Sequence, residues 1–306
     1  MINKRYPRTI LATACIPWDE SHQFMEDMFR KHIKDLKDKG IHHIYLFGTA
    51  GEGYAVSDAQ FDEIVHVFVQ EMQGPDLHPM VGLVSLSFET MSERLRKAYA
   101  AGIRDFQFSL PSWGPLADRE LVDFVHALCD PYPDCRFLHY NLMRSKRLLQ
   151  VDEYVQLAND IPNFAGAKFT TKDTFIVHQL METDSPLQFF LGELGFGYAH
   201  MIGGECGLLI SIGNSHIARA QKFYQAALNR DLSSLAGFQT EFSGLLKGLF
   251  QSIRSGHMDG AYDKVFCKLI DSQFPLRLLP PYESSTEEQY AAYQTYLQQH
   301  YPQWLE

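Results

Sequence analysis

The chain has 306 residues, 45% hydrophobic and 21% charged, a globular composition that excludes disorder and collagen-like folds. Twenty-seven basic against 37 acidic side chains leave a net charge of −10, which argues against nucleic acid or an anionic membrane surface as partner. No run of about 18 apolar residues exists, so no membrane-spanning helix is expected.

Lys4, Arg5 and Arg8 ahead of Ile10 to Ala14 loosely imitate a secretion signal. The apolar stretch before Ala12 is far shorter than the roughly 7–15 residues such a signal needs. The segment reads instead as a first strand. From there, β-rich runs at 10–16, 42–47, 79–84, 104–110, 136–141, 163–169, 187–191 and 207–212 alternate with helical segments. Ser21 is placed to cap a helix carrying Met25, Met28, Phe29, Ile33 and Leu36 on one face, closed by Gly40. Ser57 and Gln60 have capping-box spacing before Phe61, Ile64, Val65, Phe68 and Met72. Asp118, Asp152 and Ser215 stand where later helices should begin.

Eight β/α alternations predict a parallel (β/α)8 barrel (α/β class, TIM-barrel type) over residues 1–230. An open doubly wound sheet is the alternative. After Asn229 the pattern is helical alone, at 232–254, 258–270 and 287–299, broken by Pro275, Pro280 and Pro281. Residues 231–306 are therefore expected to form a helical extension packed on the barrel. Five cysteines without a C-x-x-C pair predict reduced thiols in a cytoplasmic protein. Thirteen histidines without ligand spacing predict no metal.

In such a barrel, chemistry belongs where strands end. The second strand runs into Gly48-Thr49-Ala50-Gly51-Glu52-Gly53, either an ordinary turn or a nest of N–H donors for a carboxylate or phosphate. Lys168 and then Thr170 close the otherwise apolar sixth strand. Burial would lower the lysine pKa and free a nucleophilic amine; alternatively the side chain snorkels from the mouth. Tyr140 near the end of the fifth strand is either a proton-transfer group or a plug in the barrel. Anion nest, phenol and amine around one mouth favour a Schiff-base enzyme acting on a 2-oxo acid.

At these residues the chain resembles the dihydrodipicolinate synthase / N-acetylneuraminate lyase family of class I aldolases. Gly48-Thr49-Ala50-Gly51-Glu52 is similar to the family's G-[ST]-T-G-E, and Tyr140-Asn141 to its Y-N-x-P. Gly166-Ala167-Lys168 is similar to G-[IVL]-K, and residues 204–211 to the stretch on strand eight. The resemblance implies that Lys168 attacks the ketone of pyruvate or another 2-oxo acid to form an imine, with no added cofactor. It implies that Tyr140 shuttles protons and that Thr49 holds its hydroxyl. The amides of Thr49 and Ala50 would bind the carboxylate, and the Leu209 carbonyl would face substrate or lysine. Gly51, Arg144, Thr170, Glu193 and Trp113 complete the expected substrate contacts, and a homo-oligomer, dimer or tetramer, is implied.

The departures are specific. Ala50 replaces a hydroxyl residue, Pro111-Ser112-Trp113 stands where the synthases carry P-Y-Y, and Met143 replaces the proline. Ser145 replaces an arginine, flanked by Arg144 and Lys146, and Gly192-Glu193-Leu194-Gly195 lacks the lyases' Asp-Glu pair. These point away from the lysine-biosynthetic synthase and from sialic-acid lyase proper. A second reading follows from them: a barrel without catalysis that binds a small metabolite as a sensor or structural subunit.

Overall fold

The computed structural model describes residues 3–171 and 173–306. Eight parallel strands close on themselves in chain order, so the barrel expectation holds and the open sheet is ruled out. They are β1 (Ile10–Thr13), β2 (His43–Leu46), β3 (His78–Gly82), β4 (Asp105–Phe108), β5 (Arg136–Asn141), β6 (Phe164–Phe169), β7 (Gln188–Gly192) and β8 (Gly207–Ile210). Between them run α1 (Glu26–Asp38), α2 (Asp58–Glu71), α3 (Phe88–Ala100), α4 (Asp118–Cys129), α5 (Val151–Asp160), α6 (Thr174–Glu182) and α7 (Glu193–Met201). Then follow α8 (Ile217–Leu228), α9 (Leu232–Ser252), α10 (Asp259–Ile270) and α11 (Glu287–His300).

The strands are short apolar runs because both of their faces are buried. Alternation sends Leu11, Tyr45, Met80, Leu138, Ala165, Phe190 and Leu209 into one small cluster, the barrel lumen. Their neighbours join the larger cluster between sheet and helices. The β5–β6 register sets Tyr140 beside Lys168, and β7 sets Phe190 on its other side.

Helix starts follow local chemistry. Ser57 and Gln60 form both bonds of the capping box, at 3.2 and 2.9 Å. Ser21 does not cap α1, which begins after Met25. Asp19 takes the N–H groups of Ser21 and Gln23, both at 2.8 Å, and folds that stretch into a turn of its own. Asp118 and Asp152 lie inside the first turns of α4 and α5, favourable for the helix dipole, while Glu120 and Glu153 reach back to the Ala117 and Gln150 N–H groups. His216 caps α8 in place of Ser215, whose hydroxyl donates to the Ile212 carbonyl at 2.7 Å.

The C-terminal helices do more than cover the barrel's side. Helix α9 packs on α7, α8 and α11, whereas α10 packs on the 3₁₀ turn Ile212–Ser215 that leaves β8 at the mouth. All five cysteines are buried and unpaired. Among the described residues no helix is long and apolar enough to cross a membrane.

Candidate active site

β6 approaches its end through Ala165, Gly166 and Ala167, small residues that leave room in the lumen; a Cβ on Gly166 would lie 2.4 Å from the Gln188 carbonyl oxygen. Lys168 follows, 4% exposed. Its Nζ donates to the Tyr45 hydroxyl at 2.9 Å and stands 3.9 Å from the centre of the Tyr140 ring. Burial lowers its pKa to about 8; Asp259 and Asp263 oppose that shift and Arg144 adds to it. The result is a buried amine, partly unprotonated near neutrality, with the Tyr45 and Tyr140 rings and the Tyr45 hydroxyl against its nitrogen. Such an amine is a nucleophile.

Tyr140 is buried as well, and its pKa is pushed up to about 12, first by burial and next by Asp259. The nearby Thr49 and Thr170 side chains act in the opposite direction. Burial also raises the Tyr45 pKa, which keeps that hydroxyl neutral beside the amine.

The loop after β2 takes its shape from a backbone that departs from the strand at Phe47, φ +59°, and again at Glu52, φ +55°. Phe47 is held there by stacking on Phe61, ring centres 4.9 Å apart. Gly51 is required by close approach: a Cβ would meet the Ala14 carbonyl oxygen at 2.9 Å and the Phe47 nitrogen at 3.0 Å. The N–H groups of Thr49, Ala50 and Gly51 find no acceptor among the described residues. Three successive donors without an acceptor among the described residues suit a carboxylate.

The remaining expected contacts divide. Arg144, in the 3₁₀ turn Met143–Ser145 after β5, pairs with Asp259 at 3.0 Å. It lines a cavity of about 350 Å³ with Thr49, Tyr54, Ser85, Ser109 and Ser112. Leu209 lies in β8 opposite Gly192, buried. Glu193 is turned away from the cavity into the chain: its carboxylate accepts from the Ser211 and Gly213 N–H groups at 2.7 and 3.0 Å. Trp113 is 83% exposed, on the outside of the mouth, and its carbonyl accepts from Lys146 Nζ at 2.9 Å.

Sequence reading misses Tyr45, Ser211, Asp259 and Asp263. Tyr45 carried a signal, since strand alternation sends it into the lumen with Met80 and Leu138. The two aspartates carried none, because nothing local says that α10 will lie across the barrel mouth.

Residues 6–300 match the sequence model of the dihydrodipicolinate synthetase family. The chain is 21% identical over 252 residues to N-acetylneuraminate lyase of Salmonella paratyphi B, covering 80% of this chain and 84% of the relative. The structure superposes on the prophage protein YagE of E. coli K12, solved in complex with pyruvate, with a TM-score of 0.86 at 17% identity, covering 95% of this chain and 98% of the other. It also superposes on Proteus mirabilis N-acetylneuraminate lyase, with a TM-score of 0.83 at 19% identity, covering 97% and 99%.

Proposed function

The chain belongs to the dihydrodipicolinate synthetase family, and from that premise we propose that it is a lyase whose Lys168 forms a Schiff base with a 2-oxo acid such as pyruvate. The carrying observation is the buried Lys168 amine, lowered to a pKa of about 8, against the Tyr140 ring. The free N–H groups of Thr49, Ala50 and Gly51 receive the carboxylate. The amine adds to the ketone, Tyr140 carries a proton between nitrogen and oxygen with Thr49 and Thr170 orienting its hydroxyl, and water leaves. The resulting iminium accepts the electron pair released when a carbon–carbon bond breaks or a β-hydroxyl departs. The reaction is cleavage or condensation of pyruvate with an aldehyde, or dehydration of a sugar-derived 2-oxo acid. It needs no added cofactor.

The hydroxyl-lined cavity with Arg144 receives the rest of the substrate. We place the enzyme in the cytoplasm as a homo-oligomer, dimer or tetramer; the exposed Leu86, Trp113 and Met143 on the mouth loops supply apolar surface for a second copy.

The test is borohydride reduction in the presence of pyruvate, followed by peptide mass spectrometry. We expect a reduced pyruvyl adduct on Lys168, absent from Lys168→Ala. Pyruvate binding by calorimetry without any adduct on the native chain would establish the metabolite-binding reading instead.

A further inference from the structure

We propose that Tyr45 is a further catalytic residue: its hydroxyl oxygen holds one N–H of the Lys168 nitrogen, from the free amine through to the iminium. This rests on the reading that Lys168 forms an imine.

Two tyrosines stand against the Lys168 nitrogen, and they offer it different groups. Tyr140 presents its ring, with the centre 3.9 Å from Nζ. The Tyr45 ring centre is farther away, at 4.7 Å, but its hydroxyl oxygen lies 2.9 Å from Nζ and accepts the hydrogen bond. No other hydrogen bond reaches Nζ among the described residues. The Tyr140 hydroxyl is thereby left for the substrate oxygen, while Tyr45 serves the nitrogen.

The fold fixes Tyr45 in this place. Strand alternation turns it into the barrel lumen, where it is 2% exposed and clusters with Leu11, Met80, Leu138 and Phe190. Gly48 makes room for its ring, since a Cβ there would lie 2.4 Å from Tyr45 Cε2. The first glycine of the loop after β2 thus serves a side chain as well as a turn. Burial raises the Tyr45 pKa, so the hydroxyl stays neutral and accepts without giving up its own proton.

One bond then spans the reaction. The Lys168 ammonium carries three protons. Loss of the first frees the lone pair that bonds the ketone carbon, and loss of the second lets the carbon–nitrogen double bond close. Both leave with the ketone oxygen as water, by way of Tyr140, and one N–H remains on the iminium. When a carbon–carbon bond breaks, its electron pair passes through the double bond to nitrogen, and that N–H is unchanged. Without the Tyr45 oxygen, a buried cationic N–H would have no acceptor, a costly state.

Tyr45→Phe keeps the ring and removes the oxygen. The charged groups around Lys168 are Asp259 and Asp263 from α10 and Arg144 from the turn after β5, and the substitution leaves all three in place. Initial rates of adduct formation with pyruvate, quenched by borohydride across a range of pH, read the effect. The native rate should rise through a limb near 8 as Lys168 loses its proton. The variant lacks the acceptor that favours the ammonium. Its limb should move down by about one unit and its plateau rate should fall about 10–10²-fold, the worth of a hydrogen bond to a charged group. The half-saturating pyruvate concentration should stay within about threefold, because the carboxylate donors lie elsewhere, in the loop.

Circular dichroism checks that the variant is folded. A folded Tyr45→Phe with the native rate and limb would overturn the proposal. A lower rate on an unmoved limb would overturn it too, by making Tyr45 a packing residue. A native chain that traps no pyruvate at any pH refutes the imine reading, and is told apart because the native chain itself fails.

Discussion

At the scale of the residue, the burial of Lys168 has a pH signature. Its folded pKa of about 8 lies below the 10.5 of an exposed lysine, so between those values the unfolded chain holds a proton that the folded chain has lost. Stability therefore rises with pH from about 8 to about 10.5, and the full penalty, on the order of 3 kcal/mol, applies below 8. Lys168→Met should stabilise the chain by on the order of 1–3 kcal/mol in urea denaturation at pH 7, less the lost bond to Tyr45. The gain should vanish above about pH 10.5. A variant no more stable at pH 7 would show that the amine is not desolvated. Tyr140→Phe keeps the ring against the amine and removes the hydroxyl, so turnover should fall by about 10²–10⁴ with little change in thermal midpoint. Lysine and tyrosine were legible in the sequence because a polar group at the end of an apolar strand is conspicuous. Tyr45 was not singled out, since a tyrosine in mid-strand is ordinary β composition until the lumen around it is known.

At the scale of the element, the loop after β2 and the helix that follows it separate function from stability. A methyl group on Gly51 would press on the backbone of Ala14 and Phe47, so Gly51→Ala must displace the N–H groups at the site. Adduct formation should fall at least about tenfold, because misplacing a substrate by a fraction of an ångström is costly. Ser57→Ala, six residues on, removes only a helix cap. It should cost about 0.5–2 kcal/mol in denaturation and leave the adduct rate unchanged. Equal loss of activity in both variants would mean that the loop responds to helix stability rather than to its own geometry. The capping box was readable since both of its bonds are local, at spacing three. The start of α1 was not, because the Asp19 turn competes with Ser21 for the same stretch of chain.

At the scale of the whole molecule, a buried ion pair joins the mouth loop to the C-terminal helices. Glu52 and Lys264 meet at 2.5 Å with neither side chain exposed. The Glu52 carboxylate also accepts from Trp18 Nε1 at 2.9 Å and from the Leu279 N–H at 2.7 Å. Removing one partner strands the other charge, so Lys264→Met should destabilise the chain by about 3–5 kcal/mol, read as a lowered denaturation midpoint. Adding Glu52→Gln should recover part of that loss, since the unpaired charge is then gone. Additive losses in the double variant would contradict the coupling. This pair also ties the extension to the loop after β2.

The sequence by itself determined eight β/α alternations, their chain order, the trailing helices and three residues of the candidate site. Each is encoded over a few positions, by alternation, turn glycines and a lone amine ending an apolar strand. Only the tertiary structure decided what faces that amine. Tyr45 reaches it across the barrel lumen, Asp259 and Asp263 come from nearly a hundred residues later in the chain, and Glu193 turns into the backbone while Trp113 turns outward. These outcomes depend on barrel closure and on where α10 docks. Both are set by packing summed over the whole chain, which no local pattern records.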